Sequence, residues 1–356
     1  MNLNLIIKIL LITLGALTIF YGLYYFINPS RQGEYILKNL GIPHPVVIAH
    51  RGASIIAPES TAPAYKIARD HGSDYLEADL QRTKDGEIIV FHDAYLTRTT
   101  NVEEVFPERQ DEEIGEFTLE ELRQLDVGSW FNDKNPGRAR PVYENQRILT
   151  LAELIDIARS GQNTPGLILE LKHPEKYPGL SEDIVNILIE KEWLAPHKIS
   201  SLESVSEEYN INKNGFLQAR PTEASPEKME ASFPKTIFFS FSVDKLEKLK
   251  NLVPEVPRVL LISDNMISRR SWEAWLDQAE HVAHGLGPKG FMSWPWYIAS
   301  AHERNLFVLP YTINHLWQVK ILAQIHTSGY ITDRPDLVLN FLDRIPDPPE
   351  INQIFD

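Results

Sequence analysis

Residues 46–93 read VVIAHRGASIIAPESTAPAYKIARDHGSDYLEADLQRTKDGEIIVFHD, and the fold is decided there. The stretch opens on a short apolar run, Val46–His50, passes into a helical pattern over Thr61–His71, and returns to a second run at Tyr75–Leu80. A strand, a helix with apolar spacing near 3.6 and another strand make one parallel crossover unit. An interruption follows. Between Leu80 and Ile88 the linker Gln-Arg-Thr-Lys-Asp-Gly-Glu is too short for a crossover helix, and Asp85-Gly86 is a hairpin signal. The third run, Ile88–His92, is therefore expected as an irregular addition to the parallel set.

Downstream the alternation continues. Further strand candidates are Leu167–Leu171, Thr236–Phe241, Val259–Ile262, His281–Gly285, Phe307–Tyr311 and Tyr330–Thr332. Helical patterns lie over Leu151–Ser160, Ser181–Glu192, Val243–Leu252, Ser271–Ala279, Ile298–Glu303 and His315–His326. So many strand–helix units predict an α/β chain closed as a TIM-type (β/α)8 barrel over residues 45–345. Insertions are expected near 101–148 and 195–235, and residues 346–356 read as a C-terminal tail.

Upstream lies a different kind of segment. From Ile9 to Ile27 no residue is charged, and nineteen residues at about 1.5 Å each span roughly 28 Å, close to a bilayer's hydrocarbon thickness. Tyr21, Tyr24 and Tyr25 crowd the far end, as an interfacial aromatic belt does. Tyr24-Tyr25-Phe26-Ile27 is a poor context for signal cleavage. Residues 1–28 are expected to form an uncleaved transmembrane anchor with a single pass, and 29–44 a tether. The side of the membrane on which the barrel lies is left open, because Lys8 precedes the run and Arg31 and Lys38 follow it.

Composition narrows the chemistry. The formal net charge of −14 with no basic cluster argues against a nucleic-acid partner. There are no cysteines, so disulfides, thiol nucleophiles and thiolate metal sites are excluded. A small phosphate-bearing ligand stays compatible, because a buried divalent cation reverses the local potential.

In barrels of this kind, functional groups gather at the C-terminal ends of the strands. The runs here end or continue as His50-Arg51-Gly52, Glu77-Ala78-Asp79, His92-Asp93 and Glu170-Leu171-Lys172. Residues i and i+2 of a strand share a face, so Glu77 and Asp79 would both point inward. Buried together unpaired they would be costly; a divalent cation with Glu170 as third ligand resolves this, and all-oxygen ligation favours Ca²⁺ or Mg²⁺. An isolated Glu-x-Asp is more often a solvated pair on a hairpin. His50 and His92 are each singly unremarkable. As a pair ending two apolar strands they suit general acid and base, with Arg51 and Lys172 able to hold phosphoryl oxygens. Trp272 and Trp275, at i and i+3, read as core. For Trp294, Pro295, Trp296 and Tyr297, packing is the ordinary reading and a lipid-binding groove the alternative.

The segment from His50 to Asn101, with its HRG, P-E-x-T, G-x-D-x-x-E-x-D, T-K-D-G and H-D-x-x-L-x-R-T-T elements in order, resembles the glycerophosphodiester phosphodiesterase family. TLEELRQLDVGSWF at 118–131, TLAEL at 150–154, ELK at 170–172 and GYITDRPD at 329–336 extend the resemblance over most of residues 46–342. It implies hydrolysis of a small-molecule glycerophosphodiester to glycerol 3-phosphate and an alcohol, with a divalent metal. It also implies acid/base roles for His50 and His92, metal ligation by Glu77, Asp79 and Glu170, and phosphate contacts from Arg51 and Lys172, with Glu59 near the site. The same groups would serve hydrolysis of lysophospholipids by a lysophospholipase D route, or, stripped of catalysis, a module that binds phospholipid headgroups. Two positions depart from the pattern. Ser60 replaces an asparagine, and Tyr311 stands where tryptophan is common.

Overall fold

A computed structural model of the chain describes residues 3–195, 209–211, 217–219 and 234–345. Eight strands build the barrel: β1 (Val46–Ala49), β2 (Tyr75–Arg82), β3 (Gly166–Leu171), β4 (Thr236–Ser240), β5 (Arg258–Ile262), β6 (Gly285–Pro288), β7 (Phe307–Val308) and β8 (Gly329–Thr332). Neighbours pair in parallel in the order β7-β6-β5-β4-β3-β2-β1-β8. The ring closes between β7 and β8, where Ser328 N donates to Val308 O at 3.1 Å and Ile331 N to Pro310 O at 3.1 Å. Helices follow the strands and pack on the outside of the ring.

The barrel's two faces obey the pleat. Leu76, Ala78 and Leu80 of β2 and Leu167, Leu169 and Leu171 of β3 face the helices, in the larger apolar core. Tyr75 and Ile168 point inward, joining Val46, Ile48, Phe239 and Leu261 in the core inside the ring. Because strand side chains alternate, Glu77 and Asp79 must follow Tyr75 inward, and Glu170 must follow Ile168. The barrel interior is thus apolar at its base and acidic at its top.

The short run after β2 is antiparallel, as its linker requires. Ile88–Val90 pairs with β2 (Leu80 opposite Val90) and with Leu149–Thr150. Gly86 turns the chain at φ +96°, a conformation that suits glycine. The 101–148 insertion folds onto this hairpin with its own small core of Ile89, Phe91, Leu96, Val102, Ile114 and Phe117. Its TLEEL and the later TLAEL are both capping boxes, in which Thr118 pairs with Glu121 and Thr150 with Glu153.

Two expectations read differently in the structure. The sixth strand lies at Gly285–Pro288, not His281–Gly285, because the helix Trp272–Val282 carries its apolar face through to Val282. Residues 29–44 are folded: helix α2 (Gln32–Asn39) buries Ile36 and Leu37, which with Ile42 close the floor of the barrel. Most of 195–235, and all of 346–356, lie outside the described residues. Helix α1 (Leu3–Ile27) precedes α2; its stretch Leu5–Ile27 is long and apolar enough to cross a membrane. Trp272 and Trp275 are core residues.

Candidate active site

The C-terminal end of the ring gathers the ionisable residues that the strands carry. β2 and β3 are in register with Asp79 opposite Glu170. Glu77, Asp79 and Glu170 are 1%, 0% and 6% exposed, and each offers a carboxylate oxygen within 4.8 Å of the others. Two cations face these three acids. Arg51 Nε lies 3.0 Å from Asp79, and Lys172 Nζ lies 3.2 Å from Asp79 and in contact with Glu170.

Arg51 is placed by backbone geometry. Immediately after β1 the chain turns with Arg51 at φ 56° and Gly52 at φ +84°. A side chain on Gly52 would meet the backbone of Ala64 at 2.6 Å, so only glycine fits both the angle and the space. The turn aims Arg51 N–H at Glu77 Oε2, 2.9 Å away, and its guanidinium at Glu59 Oε1, also 2.9 Å. Ser60, in the same loop, has φ 59°, a region asparagine tolerates better than serine.

Each histidine is held by an aspartate. His50 Nδ1 donates to Asp333 Oδ1 at 2.6 Å, and Asp333 is itself fixed by Ser54 Oγ at 3.1 Å and by Asn314. His92 Nδ1 donates to Asp93 Oδ1 at 2.6 Å; Arg98 then links Asp93 to Glu59. In both rings the Nδ1 side is engaged with a carboxylate, which leaves Nε2 as the nitrogen for proton exchange. The charge of His50 is felt at Glu77, that of His92 at Glu170, and both at Asp79.

Electrostatics here are set by burial against charge. Burial, reinforced by the neighbouring Asp79, pushes the Glu77 carboxyl up to about 8. Burial also works on Asp79, but Lys172 and Arg51 outweigh it and hold that carboxyl well below the usual range. Burial and Asp79 raise Glu170 despite Lys172. For His50 burial is the largest effect and acts downward, but the Asp333 hydrogen bond together with the charges of Glu77 and Asp333 outweighs it, so the imidazole pKa is raised.

The cluster has the chemistry of a divalent-cation site. Its donors are all carboxylate oxygens, and Glu77 Oε1 is buried with no hydrogen-bond partner. The raised carboxyls of Glu77 and Glu170 mark buried acids that Arg51 and Lys172 do not fully compensate, which is the charge a divalent cation would supply. Beside the acids opens a cavity of about 740 Å³ lined by His92, Arg98, Glu170, Lys172 and Phe241. Tyr311 packs edge-on against Phe241 and donates to Ile262 O at 3.2 Å.

Residues 50–337 match the model of the glycerophosphoryl diester phosphodiesterase family. The chain belongs to that family. A glycerophosphodiester phosphodiesterase of Bacillus subtilis is 29% identical over 95% of this chain and 97% of its own length. A glycerophosphodiester phosphodiesterase of Caldanaerobacter subterraneus is 26% identical over 83% and 97%. Among solved structures, an Oleispira antarctica phosphodiesterase in complex with the product sn-glycerol-3-phosphate is 28% identical, with a TM-score of 0.60 over 84% of this chain and 97% of that one. A Silicibacter pomeroyi protein, at 22% identity and TM-score 0.63 over 86% and 96%, shares the fold.

All eight residues singled out from the sequence of this glycerophosphodiester phosphodiesterase family member meet at one mouth. Arg51, Glu59, Glu77, Asp79, Glu170 and Lys172 are joined by the contacts above, His92 reaches them through Asp93 and Arg98, and the charge of His50 acts on Glu77 and Asp79. Sequence reasoning missed the supports: Asp333, Asn314, Ser54, Asp93 and Arg98. Asp333 and Arg98 lie inside the quoted GYITDRPD and H-D-x-x-L-x-R-T-T elements, so a signal for them existed. Nothing local ties Asp333 to His50, 283 positions away.

Proposed function

We propose that this enzyme hydrolyses glycerophosphodiesters to glycerol 3-phosphate and an alcohol, using a divalent cation, Ca²⁺ or Mg²⁺, held by Glu77, Asp79 and Glu170. One observation carries the reading: two aspartate-oriented histidines come from separate strands to a single cluster of buried carboxylates and cations. A cation bound there supplies positive charge to the phosphoryl oxygens. Arg51 and Lys172 supply more, from side chains already fixed by ion pairs. One histidine takes the proton of the attacking hydroxyl as its oxygen bonds to phosphorus. The other gives a proton to the departing alkoxide as its bond to phosphorus breaks. Where the attacking hydroxyl is the substrate's neighbouring one, a cyclic phosphate forms and water then opens it with the histidine roles exchanged; where it is water, glycerol 3-phosphate forms directly. Asp333 and Asp93 keep the two rings in the tautomer that presents Nε2.

A second substrate class is favoured by a specific feature. Helix α1 reads as a membrane anchor, and it would hold the mouth near lysophospholipids in the bilayer. A panel of glycerophosphocholine, glycerophosphoethanolamine and lysophospholipids, assayed with and without chelator, separates the two. Turnover of the soluble diesters supports the main reading. Turnover of lysolipid alone supports the second. A protein that binds headgroups and turns over nothing overturns both.

A further inference from the structure

Outside α1, most of the exposed large apolar side chains of the described residues gather beside β6 and β7. Phe291, in the loop after β6, is 63% exposed, and Trp294 is 52% exposed. Trp317, on the helix Leu316–Gln324 that follows β7, is 62% exposed, and Ile321 one turn later is also exposed. Scattered apolar side chains on a surface are ordinary, but these are contiguous. Trp317 and Ile321 stand at i and i+4, so the outward face of a barrel helix, usually polar, is here apolar.

These residues also form one wall of an apolar groove of about 730 Å³. The facing wall is the last part of α1, including Ile19, Leu23 and Phe26. Tyr21 of α1 lies 6.0 Å from the ring of Trp296, which stacks on Trp294. No described residue of α1 is buried, so the helix stands beside the barrel without entering its core.

Depth follows from helix geometry. Leu5–Ile27 covers twenty-three residues, which at about 1.5 Å each is roughly 34 Å, against a hydrocarbon core of about 30 Å. If α1 spans the bilayer, Leu23 and Ile19 lie about 6 and 12 Å from the end of the run at Ile27, within the leaflet the chain leaves. The barrel flank across the groove must then lie at the same depth. Tryptophan and phenylalanine are side chains for that layer.

We propose that this flank is a membrane-docking surface: Phe291, Trp294, Trp317 and Ile321 sink into the leaflet beside α1, and lipid acyl chains fill the groove. The occupant is bilayer lipid, because one wall of the groove is the spanning helix itself. Apolar contact is the driving force, since a chain of net charge −14 is not drawn to anionic headgroups. Docking fixes the orientation of the mouth. The loop bearing Phe291 starts at Gly290, whose N–H donates to Tyr311 O at 2.6 Å, and Tyr311 packs on Phe241 of the catalytic cavity. The site therefore opens beside the lipid surface. This inference rests on the anchor reading of α1, whatever the substrate.

The absence of cysteine makes the test direct. Single-cysteine variants of the full chain, Phe291→Cys, Trp317→Cys and, as a control, Asn186→Cys on the helix Leu180–Glu190 after β3, are labelled with a polarity-sensitive fluorophore. Each is reconstituted in phosphatidylcholine vesicles and floated. Retained turnover shows that the labelled variants are folded. The labels at 291 and 317 are expected to be quenched by aqueous iodide at least about threefold less than the label at 186, because a docked face sits roughly 5–10 Å into the headgroup–acyl boundary. They are also expected to be quenched by lipid bearing a nitroxide on its acyl chain. A chain that fails to float overturns the anchor, and docking with it. A floating chain with equal iodide access at 186 and 317 overturns docking alone. Protection from both quenchers overturns lipid as the occupant and indicates a second copy of the chain.

Discussion

His50 and His92 use one device twice: a buried-side Nδ1–H given to an aspartate, with Nε2 left for chemistry. Proton transfer by a placed side chain contributes about 10²- to 10⁴-fold, so His50→Ala and His92→Ala are each expected to lose that much turnover, or more, while remaining folded. Near-wild-type kcat in either folded variant would remove that histidine from the mechanism. Asp333 gives a finer test. Burial acts against the His50 charge, but the hydrogen bond and charge of Asp333 with the charge of Glu77 outweigh it and raise the His50 pKa; burial of Asp333 is in turn outweighed by His50 together with Asn314 and Ser54, which lower the carboxyl. In Asp333→Asn the carboxylate's share of the opposition to burial is lost, and the His50 pKa falls. A limb of the pH–rate profile should therefore move to lower pH. If the alkaline limb moves, His50 is the acid; if the acidic limb moves, it is the base. A profile with both limbs unmoved would disconnect His50 from the rate. Stability obeys the same linkage. The raised imidazole stabilises below its unfolded pKa and loses that contribution as pH rises through the folded value. The lowered carboxyl stabilises above its unfolded pKa and loses it on acidification. The variant's stability deficit should be largest between about pH 3.9 and 6.5.

At the scale of elements, the metal hypothesis depends on two neighbouring strands. β2 contributes Glu77 and Asp79, and β3 contributes Glu170 in register with Asp79. Exhaustive chelation is expected to abolish turnover, with recovery on adding Ca²⁺ or Mg²⁺; full activity in protein shown to be metal-free would sink the idea. The turn after β1 makes a separate prediction. Gly52→Ala forces a side chain into the Ala64 backbone at positive φ, a strain of about 1–3 kcal/mol, and should lower the midpoint of denaturant unfolding as well as activity. An unchanged midpoint would mean that the turn relaxes freely. This turn also illustrates what was legible in the sequence. β1, β2 and β3 could be read because alternation assigns a face to every residue once one core residue is placed. The hairpin could be read because a seven-residue linker cannot cross a sheet. The sixth strand was misplaced because His281 and Val282 continue a helical face that apolar character alone does not separate from a strand. The Asp333, Ser54 and Asn314 supports could not be paired with His50 from local pattern, since only closure of the ring brings β8 beside β1.

For the whole molecule, the question is how an apolar helix and an acidic barrel share one chain. The barrel's core is complete without α1, because α2 supplies the floor through Ile36 and Leu37. Ser30, which accepts from or donates to His302 at 3.0 Å, is the first side chain of the junction with a barrel partner in that region. Removing residues 1–28 keeps both features and takes away a part with no buried residue among those described. The truncated protein is therefore expected to be soluble and folded, with turnover of glycerophosphocholine close to that of the full chain. Its turnover of lysophospholipid in vesicles should fall, since α1 acting as an anchor would raise the local concentration of site and bilayer for one another. Circular dichroism and the two assays side by side check this. An unfolded truncation would mean that α1 belongs to the barrel and that its exposed apolar length serves packing. Equal retention of both activities would mean that α1 localises the enzyme without directing it to lipid, and the soluble diesters would then stand as its substrates.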